Sequence, residues 1–370
     1  MPNTNFFGLG IAPGILDTLK RLRFTVPTPI QQKAIPVALA GKDVIGIAQT
    51  GTGKTLAFGI PLIQRLAQIR GRGLVLVPTR ELALQVEEEL RKILPPTGFN
   101  TVVLIGGASM INQIQILRRQ PRILIATPGR LLDHLGQRTT DLRDITMLIV
   151  DEADRMLDMG FAPQIDKILR HLPAEKQTML FSATIPPAII KMARSYMKLP
   201  VQVEIAPTGT TVEKVTQEVF IVRKEDKMDM LLKVLGQYHG TVLLFSRTKR
   251  GASKITRRLC QMGHNAAEIH SNRSLAQRRQ ALEGFKLGRY RILVATDIAA
   301  RGIDVRGIEL VINFDLPDDT ENYVHRIGRT ARAGQEGHAI SFATPEQKKD
   351  IFAIEKLIRI PLRISRSNSR

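Results

Sequence analysis

Eight consecutive residues, Ala48-Gln49-Thr50-Gly51-Thr52-Gly53-Lys54-Thr55, combine glycine spacing with the side chains that hold a phosphate chain. Glycines let successive backbone N–H groups turn toward one point, the Lys54 ammonium reaches the outer phosphates, and the Thr55 hydroxyl is a hard oxygen ligand for Mg²⁺. The apolar run Val44–Ile47 precedes this stretch and a helical pattern from Leu56 to about Leu66 follows it. Strand, loop and helix then aim both the amides and the helix dipole at an anion, so the expected ligand is a nucleoside triphosphate. Ala48 stands where the strict pattern has glycine, a small-for-small exchange.

Two further stations could act on that phosphate chain. The run Met147–Val150 ends in Asp151-Glu152-Ala153-Asp154. Asp151 would hold Mg²⁺, directly or through water, and Glu152 would polarise the attacking water, the two tasks in-line phosphoryl transfer requires. The competing reading is an acidic helix start. Downstream lies Tyr323-Val324-His325-Arg326-Ile327-Gly328-Arg329-Thr330-Ala331-Arg332. Its arginines at a spacing of three could be a solvated helix stripe, or Arg329 and Arg332 could serve as arginine fingers on transition-state charge. The second half of the chain has no P-loop of its own, which favours the second reading.

These stations need scaffolding, and 370 residues with 43% apolar content suit two domains. Residues 1–43 read as helices broken by Pro13, Pro27, Pro29 and Pro36. Beyond them short apolar runs alternate with helical patterns. Strands are expected at Val44–Ile47, Leu74–Val77, Thr101–Ile105, Ile123–Ala126, Met147–Val150 and Thr178–Phe181, then at Glu218–Val222, Thr241–Phe245, Ala266–Ile269, Arg291–Ala295, Leu310–Asn313 and Ala339–Phe342. Unbroken apolar strands between helices make a mainly parallel sheet covered on both faces, so the fold class is α/β with two such sheets. The halves echo each other, as in Ile123-Leu124-Ile125-Ala126-Thr127 and Ile292-Leu293-Val294-Ala295-Thr296. The resulting division is an N-terminal domain at 1–206, a linker at 207–214, a C-terminal domain at 215–359 and a basic, disordered tail at 360–370.

Formal net charge is +20, and both halves are basic, with 25 Lys/Arg against 16 Asp/Glu in residues 1–206 and 29 against 18 in 207–370. That balance fits a polyanionic partner touching both halves. Aromatic residues make up 5% and tryptophan is absent, so phosphate contacts rather than base stacking should dominate. No apolar window reaches membrane-spanning length, the polar start is not a signal peptide, and the single cysteine, Cys260, cannot form an internal disulfide. A cytoplasmic protein is expected, with no membrane contact and no His/Cys metal site.

From Phe7 to about Ile358 the ordered set of motifs resembles the DEAD-box ATP-dependent RNA helicases, which implies two RecA-like domains, RNA-stimulated ATP hydrolysis with Mg²⁺, and local, non-processive RNA unwinding or ribonucleoprotein remodelling. Phe24-Thr25-Val26-Pro27-Thr28-Pro29-Ile30-Gln31 resembles the adenine-reading element, with Gln31 on the adenine edge, Phe24 stacked on the ring and Phe7 supporting it. The resemblance implies an RNA face of Pro78, Thr79, Arg80, Gly106, Gly107, Thr127, Pro128, Gly129 and Arg130, continued by Ser246, Arg247, Arg278, Thr296 and Asp297. Ser182-Ala183-Thr184 resembles the element coupling hydrolysis to strand separation, together with His325, Arg326 and Arg301, and Asp304 would meet the ribose.

Two positions depart from the family pattern. Leu275 stands where the family has Gln, three residues before Arg278, which predicts weaker RNA coupling, and Ala331 replaces a common glycine, of consequence if that backbone needs positive φ. Rival readings are an ATP-gated RNA clamp that unwinds little, a DNA-directed motor, and a P-loop kinase or transport ATPase. A monomer with RNA and ribonucleoprotein partners is the expectation.

Overall fold

Strands of uninterrupted Val, Ile and Leu have no solvent-tolerant face, so they pair in parallel and take helices on both sides. The computed structural model describes residues 5–49, 51–94, 98–205, 215–300, 305, 307–331 and 337–366. The chain divides into two compact units, Met1–Ala206 and Pro207–Arg370, and the expected linker falls outside the described residues.

In the first unit the strands are β1 (Val44–Ile47), β2 (Arg72–Leu76), β3 (Thr101–Leu104), β4 (Ile123–Ala126), β5 (Ile145–Val150), β6 (Gln177–Ser182) and β7 (Val201–Glu204). They lie in the order β3-β4-β2-β5-β6-β1-β7, and every pairing is parallel. The loops that leave β1, β2, β4 and β5 therefore open on one edge of the sheet, where ligands of such folds bind. Gly46 on β1 decides how closely that edge can pack, because a Cβ there would come within 2.5 Å of the Phe181 ring on β6. Phe181 in turn meets Phe58 of the Lys54–Gln68 helix at 5.6 Å between ring centroids, which pins the helix against the sheet.

The second unit contains β8 (Val215–Ile221), β9 (Val242–Phe245), β10 (Ala266–Ile269), β11 (Ile292–Ala295), β12 (Leu310–Asn313), β13 (Gly337–Ala343) and β14 (Arg363–Arg366). Their order, β10-β11-β9-β12-β13-β8-β14, repeats that of the first unit position by position, again all parallel. Thus β9 holds the place of β2, β12 that of β5, and β8 that of β1. The echo between the halves of the sequence is a real architectural repeat.

Two strands carry no apolar run and were not expected. β7 has only Val203 buried. The buried Asp43 positions it: one carboxylate oxygen accepts from the Thr178 N–H, the other from the Lys198 N–H, both at 2.7 Å, and the Asp43 carbonyl accepts from Val201. β14 corrects the expectation of a disordered tail, since residues 363–366 pair in register with Glu218–Ile221 of β8. An edge strand needs backbone groups to pair rather than an apolar face, so a polar sequence such as Arg363-Ile364-Ser365-Arg366 can supply it.

Candidate active site

The phosphate-cradling loop follows β1 as expected. Gly51 and Gly53 both have φ of +86°, left-handed backbone that glycine adopts without strain. Gly53 caps the Lys54–Gln68 helix, and the Thr52 hydroxyl donates to the Gln49 carbonyl at 2.7 Å, closing the turn. Ala48 is buried and its N–H donates to the Ser182 carbonyl on β6. Lys54 is buried, and among the described residues its Nζ has no hydrogen-bond partner. An ammonium so placed fits the outer phosphates of a bound nucleotide. Thr55 is half-buried, and Thr50 lies outside the described residues.

Gln31 is the third residue of the Pro29–Leu39 helix, whose Pro29 sits at the first turn where no N–H is missed. Its Oε1 accepts from the Thr28 N–H at 2.9 Å, and its Nε2 donates to the Gly53 carbonyl at 3.0 Å. Each atom retains one further hydrogen-bonding position, an acceptor on Oε1 and a donor on Nε2, which is the pattern that reads the adenine edge. Phe24 is half-buried and Phe7 is 66% exposed, a free ring face.

The acidic loop leaves β5 on the same edge. Asp151 accepts from the Glu152 N–H at 2.9 Å, and its carboxyl is pushed up to about 6. Burial is the main cause, with Glu152 and Asp154 adding repulsion, while the Lys54 charge pulls the other way. No group of three acidic, histidine or cysteine side chains among the described residues is placed to hold a metal ion, so the oxygen this loop offers a divalent cation is the Asp151 carboxylate. Glu152 has φ of +53°, a strained conformation for a non-glycine residue, and its Oε2 takes a 2.8 Å ion pair from the buried Arg155. Asp154 Oδ2 accepts from the Ala183 N–H at 3.0 Å, from the Thr184 N–H at 2.9 Å and from the Thr184 hydroxyl at 3.2 Å, while Ser182 Oγ accepts from the Asp154 N–H at 3.2 Å. Ser182-Ala183-Thr184 is therefore fastened to the acidic loop within the first unit.

The three segments expected on the nucleic-acid face of this unit meet. The Thr79 hydroxyl caps the Arg80–Ile93 helix by accepting from Leu82, and Pro78 is buried behind it. The Arg80 guanidinium lies over Gly106 and Gly107, where a side chain on Gly107 would overlap it. Arg130 donates to the Ala108 carbonyl at 3.2 Å. Thr127 and Pro128 start the Pro128–Gly136 helix, and Gly129 in its first turn is exposed.

In the second unit Arg326 organises the site. Its Nε and Nη2 donate to the two carboxylate oxygens of Asp297 at 2.6 and 2.7 Å, and Nη1 donates to Asn313 and to the Asp315 carbonyl. The guanidinium also lies 4.9 Å from the Phe245 ring centroid. Asp315 accepts from Ser246 Oγ and the Arg247 N–H and pairs with the buried Lys227 at 3.1 Å. Burial alone would raise the Asp315 carboxyl, but Lys227 and the Arg247 N–H hold it below its ordinary value. Arg278 and Arg329 are buried, and Thr296 and His325 are half-buried. Ala331 has φ of +53°, so the position does require positive φ. Arg301, Asp304 and Arg332 lie outside the described residues.

Asp154, Arg155, Asn313 and Asp315 were not singled out for roles from sequence. Arg155 was legible as the cation three residues beyond Glu152 on one helical face. Asp315 follows the apolar β12 as Asp151 follows β5, a signal visible once the two halves are aligned as repeats.

Comparison with known proteins agrees with this geometry. Residues 28–192 match the DEAD/DEAH box helicase family and residues 226–334 the helicase conserved C-terminal domain. The chain is 44% identical to the DEAD-box ATP-dependent RNA helicase CshA of Bacillus licheniformis, over 94% of this chain and 72% of that protein. It is 41% identical to the ATP-dependent rRNA helicase RRP3 of Debaryomyces hansenii, over 96% and 75%. Among solved structures, Saccharomyces cerevisiae Dbp5 bound to RNA and ADP BeF3 superposes with a TM-score of 0.87 at 30% identity, covering 99% of this chain and 96% of that one. Mss116p bound to ssRNA and AMP-PNP gives 0.90 at 28% identity, covering 98% and 78%. The two parallel sheets are RecA-like domains, and the chain belongs to the DEAD-box ATP-dependent RNA helicases, ATP-hydrolysing enzymes.

Proposed function

We propose that this protein couples RNA-stimulated ATP hydrolysis to local, non-processive opening of short RNA duplexes and to remodelling of ribonucleoproteins, acting as a cytoplasmic monomer. The observation that carries this reading is that one edge of the first unit's sheet bears both groups of residues. That edge gathers the unpartnered Lys54 ammonium, the Asp151 carboxyl and the Glu152–Arg155 pair beside the cluster of Arg80, Gly106, Gly107 and Arg130.

Thr55 and Asp151 would hold Mg²⁺, which when bound neutralises charge on the outer phosphates. Lys54 and the loop amides bind the triphosphate, and Gln31 and Phe24 hold the adenine, with Phe7 beside them. Glu152 orients the attacking water and accepts its proton, while Arg155 fixes the direction of that carboxylate. Arg329 and Arg332 act on the developing phosphate charge when the second unit engages the nucleotide. Asp154 passes changes at the acidic loop to Ser182-Ala183-Thr184 through its hydrogen bonds.

Duplexes of increasing length with and without a single-stranded overhang test the reading. Opening that falls steeply with duplex length and does not need a loading end supports local unwinding. Opening insensitive to length would instead require a translocating motor. Hydrolysis stimulated as strongly by DNA as by RNA of equal length would favour the DNA-directed alternative.

A further inference from the structure

The Lys249–Gln261 helix follows β9, so it holds the place that the Arg80–Ile93 helix holds after β2. The two helices treat charge in opposite ways. In the first unit, Glu87, Glu88 and Glu89 pair with Arg91 and Lys92 at 2.5–3.8 Å, a self-neutralised solvent face. In the second, Lys249, Arg250, Lys254, Arg257 and Arg258 share the helix with no acidic residue, and none occurs between Ser246 and Ala267. All five are exposed, and among the described residues the side chains of Arg250, Lys254, Arg257 and Arg258 make no hydrogen bond or ion pair. Like charges one helical turn apart destabilise a helix, so this arrangement carries a cost unless an anion offsets it.

The surface around the helix is shaped as well as charged. A groove of about 1200 Å³ runs along one side; Arg247, Lys254 and Arg258 line it near the helix, and Glu225, Asp229 and Asp315 also contribute to its lining. A second of about 480 Å³ lies on the other side, lined by residues that include Arg250, Ser253 and Asn272. Lys254 and Arg257 line both grooves and form the ridge between them. From Arg250 to Arg258 the ridge spans about 12 Å, enough for on the order of three phosphates of a nucleic-acid strand.

We propose that this ridge is a second RNA-contact surface, which takes phosphates of the RNA beyond the segment held by the core motifs. The proposal rests on the RNA-binding reading above. Continuity favours RNA over an acidic protein, because the helix begins three residues after Ser246, the start of the RNA track in this unit. Contacts of this kind are electrostatic and indifferent to sequence, so they lengthen the footprint without specifying a base.

The test compares the parent chain with Lys254→Ala/Arg257→Ala, and with Lys348→Ala/Lys349→Ala as an exposed-charge control, on a single strand of about 10 nucleotides and one about three times longer. The ridge variant should lose about tenfold in affinity for the long RNA, with a salt dependence shallower by about 1.4, while the short strand changes little. The control pair should leave both RNAs near parent affinity. Equal losses on both RNAs, equal losses with the control, or no loss at all would overturn the ridge while leaving RNA-stimulated hydrolysis intact. A parent that binds neither RNA would overturn the functional reading itself. Ridge-dependent binding of polyglutamate without long-RNA loss would reassign the surface to an acidic protein.

Discussion

Gln31 and Gly53, 22 positions apart in sequence, are joined by a 3.0 Å hydrogen bond from the glutamine amide to the glycine carbonyl. The residue expected to read the base thus also braces the loop that holds the phosphates. A Cβ on Gly53 would collide with the same amide, so the contact constrains both partners.

Replacing Gln31 with Glu removes the donor and sets a carboxylate against a carbonyl. ATP affinity is expected to fall about tenfold, the scale of one charge-affected hydrogen bond, and the preference for ATP over GTP to shrink. Equilibrium titration with both nucleotides reads this directly. A Gln31→Glu variant with unchanged discrimination would remove Gln31 from base reading.

The Asp151 carboxyl, raised to about 6, gives a pH dependence of definite sign. Its folded value lies above that of the unfolded chain, so the nucleotide-free protein holds extra protons and loses stability as pH rises from about 4 through 6. Asp151→Asn should therefore be more stable than the parent at pH 7.5, by on the order of 3 kcal/mol, with the gap closing toward pH 4. Metal binding needs the carboxylate and the ion's charge favours it, so kcat/KM for Mg²⁺-dependent hydrolysis should decline below about pH 6, while kcat at saturating Mg²⁺ and ATP holds to lower pH. Chemical denaturation across pH and a pH–rate profile check the two halves of this claim.

Arg326 and Asp297 form a two-point ion pair whose arginine is buried. Arg326→Met would strand the carboxylate of Asp297 and the carbonyl of Asp315, costing about 3–5 kcal/mol. Pairing Arg326→Met with Asp297→Asn should recover part of the loss in a double-mutant cycle. Additive losses would show that the pair is not a coupled unit.

Much of this site was legible before any coordinates, for a physical reason. Glycine-rich loops and acids placed at the ends of apolar strands write their chemistry into adjacent residues, so Gly51, Gly53, Lys54 and Asp151 could be read directly. The strands could be read as apolar runs such as Leu74–Val77 and Ile123–Ala126, but their order in the sheet, in which these two pair, could not. What stayed hidden depends on distant partners. The strands β7 and β14 are specified by backbone pairing at an edge, and Asp43 shows its anchoring role only when residues 135 and 155 positions away arrive beside it. Asp297 and Arg326 were assigned separate roles from sequence, and their mutual bond could not be seen without the fold.

Ala331 sits at φ of +53° where glycine would be unstrained. Ala331→Gly should relieve part of a left-handed penalty of about 1–2 kcal/mol, leaving a net gain of roughly 0.5–1 kcal/mol after unfolded-state entropy and the lost methyl contact. Thermal unfolding of the variant measures the balance, and a lower melting temperature would mean that the methyl group's packing outweighs the strain.

The central claim is that RNA governs hydrolysis through the Asp151–Glu152 loop. Steady-state ATP hydrolysis with and without single-stranded RNA, run beside Glu152→Gln and Leu275→Gln, tests it most directly. The account predicts strong stimulation by RNA in the parent, a loss of at least about 100-fold in Glu152→Gln with ATP binding retained, and a further gain in Leu275→Gln. Hydrolysis indifferent to RNA, or undiminished by Glu152→Gln, would contradict it.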